Sequence, residues 1–156
     1  MRPRYETQSD LANEESIAAE IESAWDIKVA KMPISYSLDF MGHDISKRLS
    51  CWIEVKSRPS MKWGQYSTIM LSLRKLIDAE TLIRISGCNA YFVVRDREND
   101  IRYASLLDVI GKPELIEWGG RTVNTRDDAD IEPIVSIPVS LFRPISDGYP
   151  KDEQTV

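Results

Sequence analysis

The stretch from Ile34 to Lys56, ISYSLDFMGHDISKRLSCWIEVK, limits what this chain can fold into more than any other. From Ile34 to Phe40 the apolar residues Ile34, Tyr36, Leu38 and Phe40 alternate with Ser35, Ser37 and Asp39. From Leu49 to Lys56 the alternation returns, with Leu49, Cys51, Ile53 and Val55 on one face and Ser50, Trp52, Glu54 and Lys56 on the other. A period of two marks a strand with two different faces, so both runs read as strands. Glu54 and Lys56 lie two residues apart and project side by side. Met41-Gly42-His43-Asp44 has the chemistry of a hairpin turn, with Gly42 able to take positive φ. Such a hairpin lets Asp39, which points away from the Leu38 face, join Glu54 and Lys56.

Two carboxylates and a lysine meeting on one sheet face make a site for a hard divalent cation. Carboxylate oxygens suit Mg²⁺, which keeps several waters and shares its shell with phosphates. An ammonium beside them can hold an attacking water or stabilise charge on a pentavalent phosphate. The plainer alternative is a surface ion pair of Glu54 with Lys56 on a solvated strand.

Composition removes several other classes. A chain of 156 residues, 42% hydrophobic and 29% charged, reads as one domain with a real core, spanning about residues 9–142, with 1–8 and 146–156 as flexible ends. No apolar run approaches a membrane span and no signal peptide opens the chain, so a cytoplasmic protein without a membrane partner is expected. Cys51 and Cys88 are too few for a disulfide framework, and neither has zinc-ligand spacing. His43 is the sole histidine and falls in the expected turn, which disfavours a Ser-His-Asp or Cys-His nucleophile. The net charge of −5 is not a basic footprint, yet residues 45–105 carry 11 Lys/Arg against 6 Asp/Glu. A phosphate-binding groove on an acidic body has this distribution, as ordinary scatter also does.

Ahead of the hairpin, Ser9 to Trp25 reads as a helix capped by Ser9 or Asp10, with acids in its first turns favouring the dipole. Ile17, Ala18, Ile21, Ala24 and Trp25 form its apolar stripe, and Glu14 falls in the middle of that stripe. A core-facing glutamate is costly unless paired or metal-bound, the alternative being a frayed end that lets Glu14 reach water. Glu15, Glu20 and Glu22 fall outside the stripe and read as solvated.

These parts together resemble the PD-(D/E)XK nuclease superfamily. Glu14 opens E-x2-I-A-x2-I-x3-W, a strand then carries Asp39, and after a gap of 14 residues a strand carries Glu54-Val55-Lys56. Tyr66, Ser72, Lys75 and NAYFVVRD look like the small phage- or prophage-borne members. One departure is that Leu38, not proline, precedes Asp39. The resemblance implies an α/β fold with a central mixed sheet flanked by helices, of the restriction-endonuclease kind. It implies that Asp39, Glu54 and the Val55 backbone carbonyl ligate Mg²⁺ or Mn²⁺, that Glu14 joins directly or through water, and that Lys56 positions the attacking water. No nucleotide cofactor is implied. A protein acting inside a bacterial host, on DNA and as a homodimer, is the corresponding expectation.

Beyond Lys56, Arg58, Lys62, Trp63 and Gln65 make a basic, aromatic loop. Its cations can hold phosphates, Gln65 can reach a base edge or a water, and Trp63 can stack on a base or pack beneath the loop. Ser72 is placed to cap a helix from about Leu73 to Ser86, with Gly87 at its C′ position and Leu73, Leu76, Ile77 and Ile83 on its apolar face. Lys75, in its first turn, either touches substrate or forms an exposed salt bridge. Ala90 to Asp96 reads as a strand buried on both sides, Arg97 to Asp100 as a turn, and Ile101 to Leu106 as a returning strand. Residues 107–133 read as a long loop whose acidic run Asp127, Asp128, Asp130 lacks calcium-loop spacing. Ile134 to Val139 reads as an edge strand or, given Pro138, the end of one, docked on the sheet or on a second subunit.

The expected activity is metal-dependent endonucleolytic hydrolysis of DNA phosphodiesters, on branched or phage DNA among the options. The alternative is a non-catalytic DNA-binding or host-enzyme-inhibiting module on the same fold.

Overall fold

The computed structural model describes residues 7–120 and 131–151. Helix α1 (Gln8–Trp25) leads into strands β1 (Lys28–Lys31), β2 (Phe40–His43), β3 (Leu49–Ser57) and β4 (Thr68–Ser72). Helix α2 (Leu73–Ser86), strands β5 (Ala90–Arg95), β6 (Ile101–Ser105), β7 (Ile116–Gly120), β8 (Ile131–Pro138) and the two-residue β9 (Arg143–Pro144) follow. A six-stranded sheet has the order β1-β2-β3-β5-β6-β9, and a separate three-stranded sheet the order β4-β8-β7. Among the described residues only β3 and β5 pair in parallel, and the chain crosses between them through β4 and α2, as a parallel pair requires.

The core lies on both faces of the large sheet. On one face α1 presents Ile17, Ala18, Ile21 and Trp25 to Phe40, Cys51, Ile53, Val55, Tyr91 and Val93. Trp25 makes edge-on contacts with Tyr91, Tyr103 and Tyr149. On the other face α2 and the small sheet bury Leu76, Ala79, Ile83, Ile69, Val135 and Ile137 against Leu38, Phe92 and Val94. Strand β3 therefore divides by parity. Cys51, Ile53 and Val55 belong to the α1 core, while Trp52 packs on the α2 side and donates its indole N–H to Ser86 Oγ at 3.0 Å.

Several local expectations are corrected. The run before Phe40 is not a strand: residues 34–39 turn and bend, and only Phe40 enters β2. Leu38 and Phe40 lie in opposite core layers, so the alternation reflects a chain crossing the sheet edge rather than running along it. Met41 to His43 extend β2, and the turn falls at residues 44–47, where the Asp44 carboxylate accepts from the Ser46 and Arg48 N–H groups. The α1 cap is Thr7, in a reciprocal capping box with Asp10, so neither Ser9 nor Asp10 holds the cap position. Glu22 is not simply solvated, since its carboxylate accepts the Val29 N–H at 3.0 Å and ties β1 to α1. Ile77 faces solvent, and Leu76, Ala79 and Ile83 form the buried side of α2.

Strand β7 occupies part of the stretch expected to be a long loop, while Arg121, Arg126 and the acidic run at 127–130 lie outside the described residues. Strand β8 is the central strand of the small sheet and ends at Pro138, so it pairs within its own chain and not with a second subunit. Residues 146–150 are not frayed. Tyr149 packs on Trp25 and donates to the Ser50 carbonyl, and Pro150 is buried. The expected flexible residues 1–6 and 152–156 lie outside the described residues.

A buried aspartate ties the loop after β3 to the β5–β6 turn. Asp96 accepts from the N–H groups of Trp63 (3.1 Å), Glu98 (2.9 Å) and Asp100 (2.9 Å). Burial pushes its carboxyl up, but these three donors and the nearby Arg102 outweigh burial and hold it below the usual aspartate range. The carboxylate therefore contributes stability above the unfolded-state pKa, and loses it as pH falls through the lower folded-state value. Asp96→Asn turns an amide N–H₂ or leaves no acceptor toward one donor. It should lower stability at pH 7 by about 1–3 kcal/mol. In urea titrations, the gap to wild type should stay constant above about pH 4 and close below it.

Candidate active site

Asp39 is the last residue before β2, and its side chain turns along the edge of β3. Its backbone N–H donates to the Ile53 carbonyl at 3.1 Å, and its Oδ2 accepts the Val55 N–H at 2.9 Å. The side chain thus replaces a strand partner where β2 has not yet begun. This fixes a carboxylate beside Val55 without a regular hairpin register.

Glu54 precedes Val55 and points to the α2 face, next to Phe92 in the register of β5. It is 8% exposed, an unusual place for a glutamate. Burial first, and then the neighbouring Asp39 carboxylate, push the Glu54 carboxyl well above the ordinary range; Lys75 pulls the other way by charge and hydrogen bond. The Asp39 and Glu54 carboxyl groups are therefore neighbours, although the run that carries Asp39 is not the strand expected of it. Lys56 lies on the same face of β3 as Glu54 and reaches solvent. The arrangement is not the surface Glu54–Lys56 ion pair of the plainer reading, because Glu54 is buried and its ammonium partner is Lys75.

Glu14 projects from α1, whose first half is held over the end of β5 by Arg95, which donates to Ser16 Oγ (2.9 Å) and Asn13 Oδ1 (3.1 Å). The glutamate is paired, as its place in the apolar stripe required. Lys31 Nζ lies 2.5 Å from Glu14 Oε2 and 3.9 Å from Asp39 Oδ1, so Lys31 links the helix acid to the strand acid. Lys75 Nζ lies 3.1 Å from each Glu54 carboxylate oxygen and also donates to the Ser37 carbonyl. A cleft of about 60 Å³ beside these groups is lined by Lys31, Pro33, Tyr36, Ser37, Asp39 and Lys75. A larger cleft of about 640 Å³, lined by Glu22, Asp26, Lys28, His43 and Asp44 among others, lies at the opposite end of the β1–β2 pair, away from Asp39 and Glu54.

The basic loop is placed differently from the acids. Arg58 donates from Nη2 to the Met70 carbonyl at 3.2 Å, and burial lowers its pKa. Lys62 pairs with Glu98 at 3.2 Å. Gln65 accepts the Lys62 N–H and donates to Tyr66 Oη, so it closes its own loop. Trp63 packs beneath the loop, donating to the Asp100 carbonyl at 2.9 Å with the Arg102 guanidinium 4.9 Å above its ring. The structure thus draws Lys75 into the acid site and leaves Arg58, Lys62 and Gln65 in a separate loop network. Lys31 was not among the sequence candidates. It sits on β1, a four-residue strand with no alternation of its own, and only the pairing Lys31↔Phe40 brings it beside Asp39.

Asp39 and Glu54 offer hard oxygen atoms close together, which suits a divalent cation of the Mg²⁺ or Mn²⁺ type. Among the described residues no group of three or more His, Cys, Asp or Glu side chains forms a metal cluster, so the candidate site is a carboxylate pair with Glu14 linked to it through Lys31.

Residues 1–145 match the model of a protein family described as "Phage putative PDDEXK endonuclease". The chain belongs to this family. The PD-(D/E)XK resemblance drawn from Glu14, Asp39 and Glu54-Val55-Lys56 holds at that level. No curated protein matches the sequence. Among solved structures, the fold is similar to Archaeoglobus fulgidus Hjc, a Holliday junction resolvase from an archaeal hyperthermophile, with a TM-score of 0.58 and 17% identity over 90% of this chain and 94% of that one. At this identity the likeness speaks for the fold, which is the expected α/β architecture with a mixed central sheet flanked by helices. Among the described residues no helix is long and apolar enough to cross a membrane. Membership of this family places the chain among the phage PD-(D/E)XK nucleases.

The raised Glu54 pKa has a consequence for stability. A carboxyl whose folded-state pKa lies above its unfolded value destabilises the fold once both states are ionised, and the cost disappears below the unfolded pKa. Glu54→Gln keeps an acceptor for Lys75 and removes the buried charge. At pH 7, in metal-free buffer, it should raise Tm by about 2–4 °C, as roughly 1 kcal/mol does for a chain of this size. The gain should vanish near pH 4. Scanning calorimetry of the two proteins across pH checks this.

Proposed function

We propose that the protein is a Mg²⁺- or Mn²⁺-dependent endonuclease that hydrolyses DNA phosphodiesters. The observation that supports it most is the closeness of the Asp39 carboxylate to the buried Glu54, two residues before Lys56 on the same strand face. In this reading Asp39, Glu54 and the Val55 backbone carbonyl hold the cation, and Glu14 contributes directly or through water. When bound, the cation would supply Lewis-acid polarisation of the phosphate and a water acidic enough to attack near neutral pH.

The chain's own groups account for the remaining needs. The Val55 N–H fixes the Asp39 carboxylate, so its orientation does not depend on substrate. The core around Glu54 keeps bulk water from one side of the site. Lys56 is exposed at the end of that face, and in this reading it would hold the attacking water and offset charge on the phosphorane. Lys75, Lys62, Arg58 and Gln65 are the candidate contacts to the DNA backbone, of which Lys75 alone is held at the carboxylate pair.

A four-way DNA junction is the first substrate to test, because the structurally similar Hjc is a Holliday junction resolvase. Cutting two strands with one site per chain calls for two copies, so the working unit is proposed to be a homodimer. With Mg²⁺ or Mn²⁺ and a panel of junction, duplex and single-stranded DNA, wild type should cleave at least one substrate. Asp39→Asn, Glu54→Ala and Lys56→Ala should each lose roughly 10²-fold or more in rate. Cleavage that survives these changes at wild-type rate points to another site or to the non-catalytic alternative. Sedimentation with and without DNA should show a dimer, and a monomer in both conditions removes that part of the proposal.

A further inference from the structure

The three acids assigned to the cation site are each already held by an ammonium group. Lys31, from β1, lies 2.5 Å from Glu14 and 3.9 Å from Asp39. Lys75, from α2, lies 3.1 Å from both oxygens of Glu54. Neither belongs to the Asp39, Glu54-Val55-Lys56 pattern, and each is positioned by a contact of its own. The Lys31 ammonium sits 5.2 Å from the centroid of the Phe40 ring, and Lys75 also donates to the Ser37 carbonyl. We propose that Lys31 and Lys75 are resident counter-ions that compete with the divalent cation for Glu14, Asp39 and Glu54. Loading the site then requires both ammonium groups to withdraw from the carboxylates. The inference rests on the nuclease reading above.

The physical reason is simple competition. A carboxylate oxygen that accepts an ammonium N–H has less lone-pair density to offer a cation, and a positive charge about 4 Å away repels a second one. In exchange, the two lysines let three acids sit together without strong mutual repulsion before a cation arrives. Once withdrawn, both ammonium groups lie beside the cleft that lines Asp39, where an anionic phosphate is their natural new partner. Cation loading and the presentation of two positive charges to DNA thus become one event.

The test is Mn²⁺ binding by the full chain without DNA, read by titration calorimetry or by the loss of the free Mn²⁺ resonance signal. Lys31→Met and Lys75→Met should each bind Mn²⁺ about fivefold more tightly than wild type, allowing for the partial exposure of both side chains. Lys31→Arg, which restores the charge, should return to the wild-type affinity. A role limited to holding the acids in place predicts the opposite sign, because loosened carboxylates bind a cation more weakly. Circular dichroism and melting establish that each variant is folded, and Lys31→Gln serves if Lys31→Met is not. Unchanged or weaker binding by the folded lysine variants, with Asp39→Asn still abolishing binding, overturns this inference and leaves the nuclease reading standing. A wild type that binds no Mn²⁺, or binds it equally well as Asp39→Asn, overturns both.

Discussion

The hydrogen bond from the Val55 N–H to the Asp39 carboxylate is the interaction on which the site depends. Strand β3 is flanked by β2 only from Phe40 onward, so at Val55 the edge of the sheet would otherwise present an unpaired donor. A side chain satisfies it, and in doing so carries a carboxylate to the place where β3 turns Glu54 toward α2. One bond completes the sheet edge and assembles the acid pair. The same local break in the ladder that ends β2 creates the site.

That arrangement stores electrostatic strain, and the rest of the fold restrains it. Glu54 is buried beside another acid, which disfavours its ionised form. The fold answers with Lys75 from α2 and with Lys31 from β1, elements far apart in the chain but adjacent around Asp39. Each lysine also depends on packing: α2 is seated by Leu76, Ala79 and Ile83, and β1 is tied to α1 through Glu22. A site that is costly to the fold is a common pattern where function, not stability, has shaped the residues.

Some of this was legible in the residues and some was not. The alternation in Leu49–Lys56 located β3 and put Glu54 and Lys56 on one face, because a period of two survives whatever the strand packs against. The same pattern in Ile34–Phe40 misled. Leu38 and Phe40 alternate with polar residues, yet they feed opposite core layers through a bend at the sheet edge. Ile34 and Tyr36 are exposed, so in this run the period of two marked neither a straight strand nor a single buried face. The Glu14 stripe position was informative in the same limited way: it required a partner and could not name Lys31. Of the small sheet β4-β8-β7, most of β8 was read as a strand from Ile134, but its partners β4 and β7 were missed because each is five residues long and they lie far apart in sequence.

By itself the sequence determined the order of the acids, the helix that presents Glu14, the strand that presents Glu54 and Lys56, and, through the motif they form, the nuclease family. These follow from spacing of residues near one another in the chain, where local geometry decides direction. The tertiary structure alone decided that Asp39 reaches its place by bonding to Val55, that Lys75 joins the acids and not the basic loop, and that Lys31 stands between Glu14 and Asp39. Each is a contact between residues at least 8 positions apart in the chain, closed by sheet pairing and helix packing, and no local pattern encodes a distance across a sheet.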